Sequence, residues 1–418
     1  MFSFAKSTVS RRRSFFPLPL YVLPVLVSLQ FLAGLALADA GKERVAISPW
    51  LKVTAEVTHS WKSQSPSPER VSFTAIDPAA STGTSTDLVK DKKVLFVFPK
   101  KSSAYDTALS TSLRVLADRQ LFPYVEVVLM EKDSAKRLEV FKEAESREFD
   151  LIFATGSSSA KFAYKHYSGG DIPVVTICAK DPVMLGQMPN YDVGSKTNIA
   201  FTSLNVPVGL QGRYLMTLKP RLRNIAVLFA NENKSAIKTQ YEPLLSWGKE
   251  NGVNIIGAGV SQKNAAAELA ETVPQAVDQM RSSDASLENS IFWITGSTSV
   301  FREIDTINAH ASTVPVLSVV PDVVQAGQGT AVMSIGVGFE SNAQLAAIYG
   351  INVLTEKRKV GELPVGLVEP PDIAISFLKA RQIGMKVPFS FLERASTVYG
   401  HSGQLARSKG KNLVASNN

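Results

Sequence analysis

The chain has 418 residues, 45% of them hydrophobic and 20% charged, enough to bury a sizeable core in two or three domains and outside the fibrous and disulfide-scaffold classes. Cys178 is the only cysteine, which excludes an intrachain disulfide scaffold and thiolate metal clusters. The net charge is +8; residues 1–40 hold four Lys/Arg and one Asp, so the remainder keeps +5, spread without the basic clusters that a nucleic-acid groove requires.

The first element is an export signal. Lys6 and the run Arg11, Arg12, Arg13 precede an apolar stretch over about 15–37 that closes on Ala38-Asp39-Ala40, the charge, core and small-residue order of a signal peptide cleaved near Ala40. Ser10-Arg11-Arg12-Arg13-Ser14-Phe15-Phe16 also approximates a twin-arginine signal, and the general export route fits equally. The stretch is about long enough to span a bilayer. Pro17, Pro19 and Pro24 together with the Ala-x-Ala end argue for cleavage instead, which places the mature chain in the periplasm. No cysteine at that end could carry a lipid.

Residues 41–91 read as a flexible arm, because Ser63-Gln64-Ser65-Pro66-Ser67-Pro68 and the small residues of 79–86 offer little to bury; 45–57 and 71–76 are its only strand-like stretches. From Lys92 short apolar runs alternate with helical patterns, the signature of βαβ units. Strands are expected at 94–98, 125–130, 151–154, 173–177 and 199–204, then again at 224–229, 253–256, 290–294 and 315–319. The grammar restarts, so the fold class expected is α/β, with two similar Rossmann-like lobes of parallel sheet joined by a multi-strand hinge. Lobe I takes 92–204 and is completed by about 331–360; lobe II takes 205–330 and is completed by about 361–404; 405–418 is a flexible tail.

Ligands of open parallel sheets bind beyond the carboxyl ends of the strands, so the turns that follow each strand are the candidate site. Ser102, Ser103 and Asp106 follow the first strand, where a serine can cap the next helix or leave its N–H groups for an anionic ligand group. Thr155, Gly156, Ser157 and Ser158 follow the third, and Thr295, Gly296, Ser297 and Thr298 stand at the matching place of the second half. Both turns are small and hydroxylic, and neither ends in the Gly-Lys-Ser/Thr of a phosphate loop. Asp181 and Asp322 sit in two matching turns, where a carboxylate can meet an ammonium group or start a helix. Asn231, Asn233 and Ser235 are either ligand groups or plain turn and cap residues. His59, His166, His310 and His401 lack a second ligand at metal spacing, no hydrolase or phosphate-loop motif is present, and Gly257-Ala258-Gly259 has Gln262 where a dinucleotide turn needs a third glycine. A binder without cofactor or metal is therefore expected, rather than an enzyme.

Ile172-Pro173-Val174-Val175-Thr176-Ile177-Cys178-Ala179-Lys180-Asp181-Pro182-Val183 resembles the strand and "DPV" turn of ABC transporter substrate-binding proteins of the tryptophan- and tyrosine-binding type. Leu218-Lys219-Pro220, Arg223 to Leu228, Leu363-Pro364-Val365-Gly366, Ala380 to Pro388 and Leu392-Glu393-Arg394-Ala395 extend the likeness over about 92–399. The resemblance implies a type I periplasmic-binding-protein fold with the ligand in the cleft, held by the turns named above. It further implies a monomer with two partners, a small polar ligand such as an amino acid and a membrane permease, and no nucleic acid. A sensory module reporting to a membrane receptor or kinase is the alternative, followed by an exported enzyme using Asp181 or Asp322. Gly336-Val337-Gly338-Phe339-Glu340 stands where family members often carry Gly-Val-Asp-Tyr-Tyr, a departure that bears on an aromatic amino acid ligand.

Overall fold

The computed structural model describes residues 43–76 and 89–413. The signal-peptide reading, the small-residue run at 79–86 and the last five residues lie outside the described residues.

Two sheets carry the fold. The first has seven strands in the order β3-β4-β6-β5-β7-β8-β9: β3 (Trp61–Ser67), β4 (Arg70–Ala75), β5 (Lys93–Phe98), β6 (Tyr124–Leu129), β7 (Leu151–Thr155), β8 (Val174–Ile177) and β9 (Ile199–Ala200). The second has nine, in the order β11-β10-β12-β13-β14-β15-β16-β17-β18: β10 (Asn224–Ala230), β11 (Asn254–Val260), β12 (Ser290–Ile294), β13 (Val316–Ser318), β14 (Met333–Gly336), β15 (Asp372–Ser376), β16 (Thr397–Tyr399), β17 (Leu405–Ser408) and β18 (Lys411–Asn412). All residues of β7 and β10 are buried, as strands covered on both faces must be.

Helices cover these faces. On the first sheet lie α1 (Ser103–Asp118), α2 (Ser134–Ser146) and α3 (Gly156–His166). With the second come α4 (Val208–Leu218), α5 (Lys234–Ala236), α6 (Glu242–Asn251), α7 (Ala265–Arg281), α8 (Thr298–Phe301) and α9 (Ile304–His310). A π-helical turn, Ile237–Tyr241, joins α5 to α6. Asp133 starts α2 by accepting from the N–H groups of Ala135 and Lys136, and Gly252 ends α6 in the left-handed conformation.

The parallel core of each sheet is wound alike. In the first sheet β5 pairs with β6 on one side and β7 on the other; in the second β10 pairs with β11 and β12 in the same way. Each sheet therefore reverses its winding beside its first parallel strand, and the crevice of a doubly wound sheet opens there.

The chain passes between the sheets three times. It leaves β9 for α4, leaves β14 for α10 (Phe339–Leu354), which packs among the core residues of the first sheet, and returns to β15 after residues 363–371. Helices α11 (Phe377–Gln382) and α12 (Phe389–Arg394) then follow on the second sheet. Asn342, fully buried on α10, ties this hinge: its Oδ1 accepts from the Cys178 N–H at 2.7 Å and its Nδ2 donates to the Ser203 carbonyl at 3.1 Å.

Three expectations need correction. The described part of the 41–91 arm is integral to the fold: β1 (Arg44–Ala46) pairs with β2 (Lys52–Thr54), and the β3–β4 hairpin joins the first sheet through β4 against β6. Trp50, Leu51, Val53, Val57, Trp61, Val71 and Phe73 are buried, while the polar run 63–67 is the solvent side of an edge strand whose register breaks between Gln64 and Ser67, around Pro66. Low average hydrophobicity here reflects one buried face. The segment 331–360 does not complete lobe I as a unit, because β14 belongs to the second sheet and only α10 to the first lobe. Residues 405–412 form β17 and β18 instead of a flexible tail, with Arg407 holding the Leu392 carbonyl.

Candidate functional site

The turns that follow β5, β7 and β8 in the first lobe and β10 and β12 in the second open on one cleft of about 680 Å³, a volume suited to a small molecule. Of the residues picked out by position in sequence, Ser102, Ser157, Ser158, Asn233, Ser235, Gly296 and Thr298 line it. Tyr105, Leu204 and Phe339 supply apolar wall, and Gln187 and Gln262 add amides.

Helices α1 and α3 both start at this cleft. Neither Ser102 nor Thr155, their N-cap residues, makes a side-chain capping bond, so the first-turn N–H groups keep no side-chain acceptor. Gly156 opens α3 at φ +77, and its missing side chain leaves the place taken by the Tyr105 hydroxyl. The Thr155 hydroxyl, buried at the base of the same turn, has no hydrogen-bond partner among the described residues.

Lys180 dominates the electrostatics. Its backbone N–H donates to Ser157 Oγ at 2.9 Å, and its side chain runs across the cleft to Gly296 of the other lobe, where any side chain would overlap the ammonium group. The residue is 8% exposed, yet its ammonium has no hydrogen bond or ion pair to any described residue. Burial lowers its pKa to about 8. Lys100, Lys101, Lys161 and Lys165 from the first lobe and Lys234, Lys238 and Arg302 from the second share the lining. Against them stands one carboxylate, Glu232, held below its usual range by the Gln262 N–H that it accepts.

The other residues picked out by position do not line the cleft. Asp106 faces the N-terminal segment, accepting from the Lys52 N–H and pairing with Arg44 at 3.5 Å; burial nevertheless raises its pKa. The Ser103 carbonyl accepts from the same Arg44. Asp181 caps its own turn, taking the N–H groups of Val183 and Met184 on Oδ1 and the Tyr191 hydroxyl on Oδ2 at 2.6 Å. Asn231 lies against Gly259, where a side chain would meet its Oδ1. Thr295 and Ser297 are buried and bond inward, Thr295 to the Leu228 carbonyl and Ser297 to the Ala230 N–H and Asn233 Nδ2. Asp322 follows β13 beside Cys178 and the Phe339 N–H; its side chain is exposed to solvent, yet the surrounding protein desolvates the carboxylate and, with the Glu340 and Asp372 charges, raises its pKa. Gly257 and Gly259 lie inside β11, where they make room for Tyr241 and Phe229; the stacked pair of those rings, 4.6 Å apart, accounts for the glycines without a dinucleotide.

Sequence reading missed the cations and Gln240. The π-helical turn aims Gln240 Oε1 at the Gly296 N–H, 2.8 Å away, and brings the Thr239 carbonyl to Asn205 Nδ2 at 3.0 Å. The cations are scattered over five turns and helices, so no run of sequence announces them. Among the described residues no group of His, Cys, Asp and Glu could hold a metal ion, and no helix is long and apolar enough to cross a membrane.

No curated protein matches the chain in sequence. Solved structures with the same fold include a conserved domain protein from Vibrio cholerae (16% identity, 74% of this chain and 99% of that one, TM-score 0.56). An ABC domain in complex with L-Trp from Streptococcus pneumonia superposes over 73% of this chain and 100% of its own, at 18% identity and a TM-score of 0.55. The open, ligand-free form of a substrate binding protein with adhesive properties from Clostridium difficile covers 73% and 98% at 19% identity, with a TM-score of 0.55. The family model described as ABC transporter substrate binding protein matches residues 125–399. With that match spanning well over half its length and two doubly wound lobes around one cleft, the chain belongs to the ABC transporter substrate-binding protein family.

Proposed function

We propose that this protein is the exported solute receptor of an ABC uptake system, holding a small polar ligand between its lobes and presenting the closed form to a membrane permease. One observation carries the reading: the winding reversals of both sheets face one cleft, where two helix starts have no side-chain cap and the Lys180 ammonium has no partner among the described residues. The second lobe adds Lys234, Lys238 and Arg302 to the lining, so one ligand can engage groups of both lobes at once. Binding then favours the closed arrangement by differential affinity, the three-segment hinge being the element that moves.

The N-terminal charge and apolar pattern supports export to the periplasm. A catalytic role for Asp181 loses its basis, since both carboxylate oxygens are engaged in its own turn. Thermal unfolding of the chain against a broad panel of small metabolites tests the proposal. A true ligand at one hundred times its Kd adds about 2.7 kcal/mol of stability, and small-angle scattering should report a more compact particle with the same compound. Absence of stabilisation by every compound, including those recovered from the native periplasm, would refute the uptake role.

A further inference from the structure

We propose, resting on the solute-receptor reading, that the ligand is a compact organic anion of net charge −2 or more, with one oxyanion group seated between the Lys180 ammonium and the starts of α1 and α3. Three independent features converge on this seat. Lys180 is more than nine-tenths buried, lines the cleft and has no partner among the described residues. The helices behind Ser102 and Ser157 are long enough to present aligned N–H groups, and neither is capped by a side chain. The remaining lining supplies seven further cations and the single carboxylate of Glu232, which is already committed to Gln262 and Ser261.

The same geometry argues against a zwitterionic amino acid. A ligand ammonium would meet a surplus of like charge in this lining. Asp181 is closed on its own turn and Asp106 faces away toward Arg44, which leaves Glu232 in the lining and the exposed Asp322, beside the lining residues Cys178 and Phe339, against eight cations. A carboxylate, sulfonate or phosphate ester satisfies Lys180 equally well, so the class is defined by charge and by oxygen acceptors; 680 Å³ leaves room for a second acidic group among the rim lysines.

Calorimetric titration of the full chain, dialysed free of small molecules, separates the cases with four probe sets: succinate, glutarate and citrate; glycerol phosphate and related phosphomonoesters; L-Trp, L-Tyr and other zwitterions; and neutral sugars. Binding within the first two sets is expected, the stronger set identifying the oxyanion. Lys180→Met should weaken it at least 100-fold, with an unliganded melting temperature at or above that of the parent chain, which shows that the variant is folded. Saturable binding of a zwitterion or sugar that Lys180→Met leaves unchanged overturns the anion assignment while leaving the receptor role intact. Silence from every anion also overturns it, and silence from all four sets counts against the receptor role as well.

Discussion

Lys180→Met removes a buried charge that has no partner among the described residues. Lowering the lysine pKa from 10.5 to about 8 corresponds to about 3 kcal/mol of penalty on the charged form at neutral pH, imposed first by burial. Methionine keeps an unbranched stem of similar length without the charge, so the unliganded variant should be more stable than the parent by about 1–3 kcal/mol at pH 7. The sign with pH is fixed by linkage. Between about pH 8 and 10.5 the unfolded chain holds a proton on this lysine that the folded chain has released, so the contribution of Lys180 to stability rises with pH across that window and the advantage of the variant over its parent shrinks. Cys178 and Tyr105, the titratable groups beside this lysine, are both pushed upward by burial and remain neutral there, and Glu232, displaced downward, remains charged. Urea unfolding of both chains at pH 7 and pH 10, without ligand, is the assay. A variant less stable than its parent at pH 7, or a difference that does not narrow by pH 10, would show that the lysine is held by a partner and would remove the case for an open anion seat.

Three further outcomes test the scaffold. Glu126→Gln, which loosens the cluster in which Glu126 accepts from Arg70, Arg147 and the Tyr124 hydroxyl, should cost about 2–3 kcal/mol at pH 7 by denaturant titration. Burial opposes ionisation of Glu126, but the Arg147 and Tyr124 hydrogen bonds prevail and hold its pKa low; the difference should therefore vanish as pH falls through that depressed value. Trp61→Ala should cost about 3–5 kcal/mol in thermal or urea unfolding, since this buried side chain donates to the Leu113 carbonyl and packs on Phe122; a loss under 1 kcal/mol would mean that the hairpin is dispensable. Cys178 should react with iodoacetamide at pH 8 at least 100-fold more slowly in the native protein than in urea, because burial and then the Asp322 charge disfavour its thiolate; mass spectrometry of timed samples measures this.

Asp372 gives a physical account of one sequence departure. Gly338-Phe339-Glu340 replaces an Asp-Tyr-Tyr pattern at the start of α10: Phe339 lines the cleft, while Glu340 turns outward to pair with Lys409 at 2.6 Å and with Arg114. A side chain on Gly338 would come 3.1 Å from Asp372 Oδ2, which accepts from the Gly338 N–H, so an aspartate there would set two carboxylates together.

The sequence by itself determined the repeated sheet grammar, because a strand covered on both faces must be apolar throughout, and runs such as 94–98, 151–154 and 224–230 have no other stable use. It determined where to look as well, since winding order alone puts the turns after β5, β7, β10 and β12 at the crevice. Which side chains of those turns line the cleft is decided only in three dimensions. Asp106 finds Arg44 and the Lys52 N–H more than fifty positions away, Asp181 closes on its own turn, and Lys180 acquires its character from Gly296 of the opposite lobe. The hairpin of residues 61–75 was hidden for the same reason: burial of one face depends on the sheet edge that receives it, and that edge is supplied by β6, far along the chain.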